Sequence, residues 1–266
     1  MPSSLDTRID IIEKLRDDKE YYGSYGKQFL SNSDIIKLLK DPTQFRVRQA
    51  PTKPMVVGSY FHTAMLERDK IDNFTIVDVS SRTTKAYKDV CPPGEILLLK
   101  KEEEEVLGWV NKMTSNLEMH EYIYADNNQF EVPEVDSIMG NMWKGKADII
   151  HDDFIIDIKT SGDIDKFMYS AKTYNYDSQA YIYQRMFGKP MVFFVICKTT
   201  GRLGIFDCSN EFIMSGQRKV EEATEIYNKY FSDEATEDIN VFIHRQKSYR
   251  GFVVSFRHTT RTPFSV

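Results

Sequence analysis

Between residues 129 and 160 the chain presents three apolar, β-rich segments in immediate succession, QFEVPEVDSIMG, NMWKGKADII and DFIIDIKT, joined by polar turns such as His151-Asp152-Asp153. Connections this short leave no room for a crossover, so the segments read as a three-stranded meander. Side chains on a strand alternate between its faces, and Asp157 and Lys159, two apart, therefore project from the same side. The second segment ends near Asp148, and a hairpin at 151–153 would bring that carboxylate across to Asp157. Two carboxylates beside one lysine make a site for a hard cation.

The rest of the chain surrounds the meander with both helical and strand patterns. A short amphipathic stretch covers 11–21, and Ser31-Asn32-Ser33-Asp34 has the capping character of a helix start ahead of IIKLLK. The segment MVVGSYFHTAMLE places Gly58, His62, Met65 and Leu66 at three- and four-residue steps, a second and more buried helix. FTIVDV is a short strand candidate ahead of a polar, basic stretch and the CPPGE turn before ILLL, and 101–124 reads as one long helix opened by glutamates. Beyond the meander the pattern predicts a helix from about 176 to 188, two strands (MVFFVICK and GRLGIFDC) and an amphipathic helix over 211–231. The expected class is mixed α/β, arranged as a helical region over 1–54 packed on a core of 55–232, with a C-terminal extension over 233–266.

A hydroxide nucleophile near neutral pH and neutralisation of charge on a phosphate are what phosphodiester cleavage demands, and Mg²⁺ or Mn²⁺ held by oxygen ligands supplies both. A D-x-K by itself is weak evidence, because an Asp/Lys pair on an exposed strand arises often by chance. The surrounding order of motifs is more specific. LSNSDIIKLLKDPTQF, the GSYFH of 58–62 followed by Leu66-Glu67, the basic segment SSRTTKAYKD, GKADII with IIDIKTSGDIDKF, and YDSQ with YIY over 176–183 together resemble the RecE and RecB branch of the PD-(D/E)xK nucleases, the exonuclease VIII-like enzymes. The resemblance covers roughly residues 28–210 and implies a restriction-endonuclease-like core, a mixed β-sheet flanked by helices.

Carried over by residue, the resemblance implies that His62, Asp148, Asp157 and the carbonyl of Ile158 bind one or two Mg²⁺ or Mn²⁺ ions, that Lys159 assists the attacking water, and that Gln179, Tyr183 and Tyr176 support the site. Glu131, or else Glu134, is the extra acid for a second cation. Alanine precedes Asp148 where the superfamily name has proline, and Asp157 stands where many members have glutamate; both departures keep the oxygen ligands. Arg82, Lys85, Lys88, Lys146 and Lys172 are candidates for pairing with phosphate.

The implied activity is exonucleolytic hydrolysis of linear DNA, 5′ to 3′ on double strands, leaving tails for a single-strand annealing protein. The alternatives are a single-strand-specific or flap-trimming exonuclease and a catalytically silent DNA-binding protein of the same fold. A formal charge of −5 gives no global basic footprint, which a local groove and bound cations would have to offset. The three cysteines cannot ligate an iron-sulfur cluster, and the absence of G-x-x-x-x-G-K excludes an ATP-driven motor. No apolar run approaches ~20 residues and no secretory signal opens the chain, so a cytoplasmic protein without a membrane partner is expected, in a bacterium or a phage-infected cell. Relatives form rings, which raises a homo-oligomer as an expectation.

Overall fold

The computed structural model describes residues 7–243. Most of the expected C-terminal extension, from 244 to 266, lies outside the described residues.

The meander forms as expected: β3 (Gln129–Ile138), β4 (Asn141–Ile150) and β5 (Ile155–Ser161) pair antiparallel, following a separate short pair, β1 (Ile76–Val77) and β2 (Leu98–Leu99). Strands β6 (Met191–Cys197) and β7 (Leu203–Asp207) complete a five-stranded sheet of order β3-β4-β5-β6-β7, in which β5 and β6 alone run parallel. The crossover between those two carries α8 (Phe167–Thr173) and α9 (Tyr176–Phe187), as a parallel connection requires. Gly188, with φ +67°, closes α9 in the left-handed conformation that suits glycine.

Helices cover both faces of the sheet. On one side α3 (Asn32–Lys40), α9 and α10 (Asn210–Tyr230) bury Trp143, Ala147, Ile155, Phe193 and Val195. On the other, α4 (Lys53–Leu66), α6 (Lys100–Thr114) and α7 (Leu117–Ile123) bury Ile149, Ile156, Ile158, Phe194 and Ile196. At ~25 cal/mol per Å² of apolar surface, these two layers supply most of the driving force for folding. The N-terminal helices α1 (Arg8–Leu15) and α2 (Asp18–Tyr22) lie against Val135 of β3, and α5 (Lys85–Val90) fills the basic stretch between β1 and β2. The result is the α/β, restriction-endonuclease-like core expected from the sequence.

Local chemistry explains where element boundaries depart from the periodicity. The single helix expected over 101–124 is two, because the Asn116 side chain accepts the Met119 N–H at 3.0 Å and starts a new helix after Ser115. The stretch 11–21 likewise divides where Asp17 caps α2. Strand β4 pairs with β5 only at Ile149 and Ile150, and its first half is bridged instead by Leu30, through hydrogen bonds of 2.9 and 2.7 Å.

Candidate metal centre

Three acids come from three adjacent strands. The β3–β4 register, with Phe130 opposite Ile149 and Val132 opposite Ala147, places Glu131 across from Asp148. The β4–β5 register, with Ile149 opposite Ile156, carries on to set Asp148 across from Asp157. Neither pair of acids completes its ladder hydrogen bonds, and the reasons are local. Glu131 has φ +49°, a left-handed conformation costly for a residue with a Cβ. Asp148 Oδ2 accepts the Ile158 N–H at 2.8 Å, so a side chain takes the bond that the ladder would have made. Residues two apart on a strand should share a face, yet Ala147 and Ile149 pack in opposite cores; the alternation breaks at Asp148.

Helix α4 adds His62, whose Nδ1 lies 3.3 Å from Asp148 Oδ2. Ligand atoms of His62, Glu131 and Asp148 all fall within 4.8 Å of one another, the spacing of groups that share one ion. Asp157, fully buried, is held differently: Gln179 donates to its Oδ1 and the Lys159 ammonium pairs with its Oδ2. The Tyr176 ring lies beneath that ammonium, 4.8 Å from Nζ to the ring centre. Tyr183 hydroxyl donates to the Lys146 carbonyl at 2.9 Å and accepts its N–H at 3.2 Å, which fixes β4 two residues before Asp148. A Cβ on Gly145 would stand 2.8 Å from the Tyr183 ring, so only glycine lets that ring close on the strand.

Other expected residues fall elsewhere. Glu134 turns away to Arg8, 3.2 Å distant, leaving Glu131 as the acid beside Asp148. Arg82 grips the buried Glu102 with both terminal nitrogens and also donates to the Leu97 carbonyl at 3.0 Å. Its guanidinium is thus spent within the fold, not turned toward a phosphate. Lys85, Lys88 and Lys172 are exposed. Lys146 pairs with Asp18 at 2.5 Å, and Lys70 meets the same carboxylate at 3.0 Å. Sequence reasoning gave no role to Asp18, Lys70 or the tyrosines of α2, because a five-residue helix has too little periodicity to announce what it covers.

Two clefts meet at this centre. One, of about 690 Å³, runs past Tyr22, Lys70, Lys146, Glu131 and Gln179; the other, of about 1320 Å³, runs past Lys53, Trp109, Lys159, Lys166 and Lys198. Ser59, His62 and Tyr174 line both.

The electrostatics are those of carboxyls packed closer than their protein counter-charges can compensate. Burial, with the Asp148 charge added, pushes Glu131 up to about 8. Burial also outweighs the pairing with Lys159 and raises Asp157 to about 6. For Asp148, burial is overcome by His62, Lys159 and the Ile158 N–H, which hold it below the ordinary range. Burial opposes charge on His62 and Lys159 too, but neighbouring carboxylates keep both above their usual values, so Lys159 is an ammonium. Glu131, an acid that retains its proton into the neutral range, converges with Asp148 and an imidazole and suits a divalent cation that would displace that proton. The oxygen-rich donor set fits Mg²⁺, and the added imidazole suits Mn²⁺ equally.

Residues 28–238 match a family described as a PDDEXK-like domain of unknown function, DUF3799. The crystal structure of a candidate exonuclease from Eubacterium rectale is similar in fold, with a TM-score of 0.58 at 15% identity, over 87% of this chain and 95% of that one. A second solved structure aligns with a TM-score of only 0.35 at 14% identity, over 79% of this chain and 83% of its own. No curated protein matches the sequence.

Proposed function

We propose a function on the premise that the chain belongs to the DUF3799 family of PDDEXK-like domains: it is a divalent-metal-dependent deoxyribonuclease that hydrolyses the phosphodiester bonds of linear DNA from an end. The observation that carries the reading is the convergence of Glu131, Asp148 and His62 beside the Asp157–Lys159 pair, at the junction of two clefts. His62, Glu131 and Asp148, with Asp157 and the Ile158 carbonyl next to them, would hold one or two Mg²⁺ or Mn²⁺ ions. A bound ion of this kind lowers the pKa of water and offsets charge on phosphate.

The protein's own groups do the rest. Lys159, an ammonium held between Asp157 and the Tyr176 ring, donates a hydrogen bond to a water or to a phosphate oxygen and offsets the negative charge that grows during cleavage. Asp157 and Gln179 fix the direction of that ammonium. Tyr183 fixes the strand that carries Asp148. Lys146 and Lys70, paired with Asp18 and lining the smaller cleft, would exchange that carboxylate for phosphates of a bound strand.

The sequence resemblance to the RecE branch supports the finer reading: 5′ to 3′ digestion of duplex DNA that leaves single-stranded tails for an annealing partner, with assembly into a homo-oligomer. No helix among the described residues is long and apolar enough to cross a membrane. The test is digestion of end-labelled linear DNA and closed circles by the wild type and Lys159→Ala in Mg²⁺, Mn²⁺ or EDTA. Metal-dependent loss of linear DNA alone, abolished by the substitution, is expected, and the label reports polarity. DNA binding without cleavage of linear, single-stranded or flapped DNA would overturn the catalytic reading.

A further inference from the structure

The larger cleft carries two side chains that the centre itself does not use. Tyr169 and Tyr174, on α8 and at its end, are 81% and 61% exposed and both line this cleft. An aromatic ring left this open forgoes the burial that usually justifies it. They are not isolated. The Tyr174 ring lies 5.9 Å from that of Tyr176, which in turn faces the Lys159 ammonium. The aromatic series therefore begins in solvent and ends on the lysine beside Asp157.

Cations accompany the series. Lys53, Lys159, Lys166 and Lys198 line the same cleft; Lys53 pairs with the buried Glu102, Lys166 sits in an exposed pair with Asp163, and Lys198 makes no ion pair among the described residues. An exposed pair such as Lys166–Asp163 is worth little and exchanges readily for another anion. The chemistry offered is a row of open aromatic faces with movable ammonium groups, leading to the acids. In a duplex the base faces are already stacked on one another, so an open tyrosine face is of use to a base only once its strand is unpaired.

We propose that the larger cleft is a lane for unpaired DNA, in which Tyr169 and Tyr174 stack on bases while Lys166 and Lys198 follow the backbone toward Lys159. The proposal rests on the nuclease reading above and adds to it the form of the strand and the side from which it arrives. Stacking on an aromatic side chain tolerates any base, so the lane has no sequence preference.

The test is fluorescence anisotropy of labelled oligothymidylate and of a blunt hairpin duplex, using the full chain in Ca²⁺ and again in EDTA. The variants are Tyr169→Ala, Tyr174→Ala, the double alanine, and the phenylalanine substitution at each position. Each alanine should weaken single-strand binding by at least about fivefold and the pair by more, phenylalanine should retain it, and duplex affinity should stay within about twofold. Circular dichroism of the same samples shows that each variant is folded. Single-strand affinity unchanged in the double alanine, or an equal loss on single strand and duplex, overturns the lane; the first of these results leaves the two rings to a protein partner. Cleavage of linear DNA by the wild type, measured on the same preparation, separates the two ideas: activity with indifferent tyrosines sinks the lane alone, and neither binding nor cleavage sinks both.

Discussion

Replacing Glu131 by glutamine should make the metal-free protein more stable and the metal-loaded protein less so. Its carboxyl, about 4.5 in ordinary surroundings, is pushed up to about 8 by burial and by Asp148. A carboxyl whose folded pKa lies above its unfolded one keeps a proton that the unfolded chain gives up, so folding stability falls as pH rises between those two values. At pH 7 the interval above 4.5, taken at ~1.4 kcal/mol per pH unit, caps the penalty near ~3.5 kcal/mol. Glu131 is only half-buried and faces a cleft, so solvent reduces that to ~1–2 kcal/mol. Glutamine keeps the shape without the charge. In EDTA at pH 7 the variant should therefore melt ~2–8 °C above the wild type, at ~2–4 °C per kcal/mol for a chain of this size. The gap should close toward pH 4.5 and widen toward pH 8. With Mn²⁺ the order should reverse: an ion that binds only the folded state stabilises it by RT ln(1 + [L]/Kd), and a tenfold weaker Kd removes ~1.4 kcal/mol of that. Differential scanning fluorimetry across pH, with EDTA or Mn²⁺, reads both halves. A variant that melts below the wild type in EDTA, or whose Mn²⁺-induced rise equals that of the wild type, would refute the reasoning.

The remaining expectations concern the groups around the centre. Gln179→Ala strips a buried hydrogen bond from Asp157 and should lower kcat by about tenfold or more while costing ~1–2 kcal/mol in urea unfolding. Gly145→Ala presses a methyl group into the Tyr183 ring and should cost ~1–3 kcal/mol, with a fall in turnover because the same ring anchors the strand before Asp148. Arg82→Ala leaves the buried Glu102 without its main partner and should cost ~3 kcal/mol in chemical denaturation, with no change in the salt dependence of DNA binding. A change in that salt slope, with stability intact, would return Arg82 to the phosphate.

The meander was legible because two signals agree there: short turns force neighbouring strands together, and alternation places Asp157 with Lys159. Glu131 could be narrowed only to one of two acids, since its selection depends on a positive φ that no periodicity encodes. The break between α6 and α7 turned on one asparagine that outcompeted an otherwise helical pattern. Arg82 looked like a phosphate contact because a basic stretch on its own does not reveal a buried glutamate 20 residues away in sequence. Asp18, with its grip on both Lys146 and Lys70, was invisible for a related reason: long-range ion pairs leave no local trace. The regular framework can be read from periodicity, whereas the departures from regularity that build the site come from single side chains competing with backbone bonds.

The row of Glu131, Asp148 and Asp157 also sets how the chain can change in length. Each acid comes from a different strand, and only one register lines all three up. Sliding any of these strands by a single residue would carry one acid to the opposite face while its neighbours kept theirs. The connections at 139–140 and 151–154 therefore cannot gain or lose a residue without scattering the acids, whereas the connection at 91–97, which bears no register on the row, is free to vary. Insertions and deletions among relatives should be concentrated in the second kind of connection and excluded from the first.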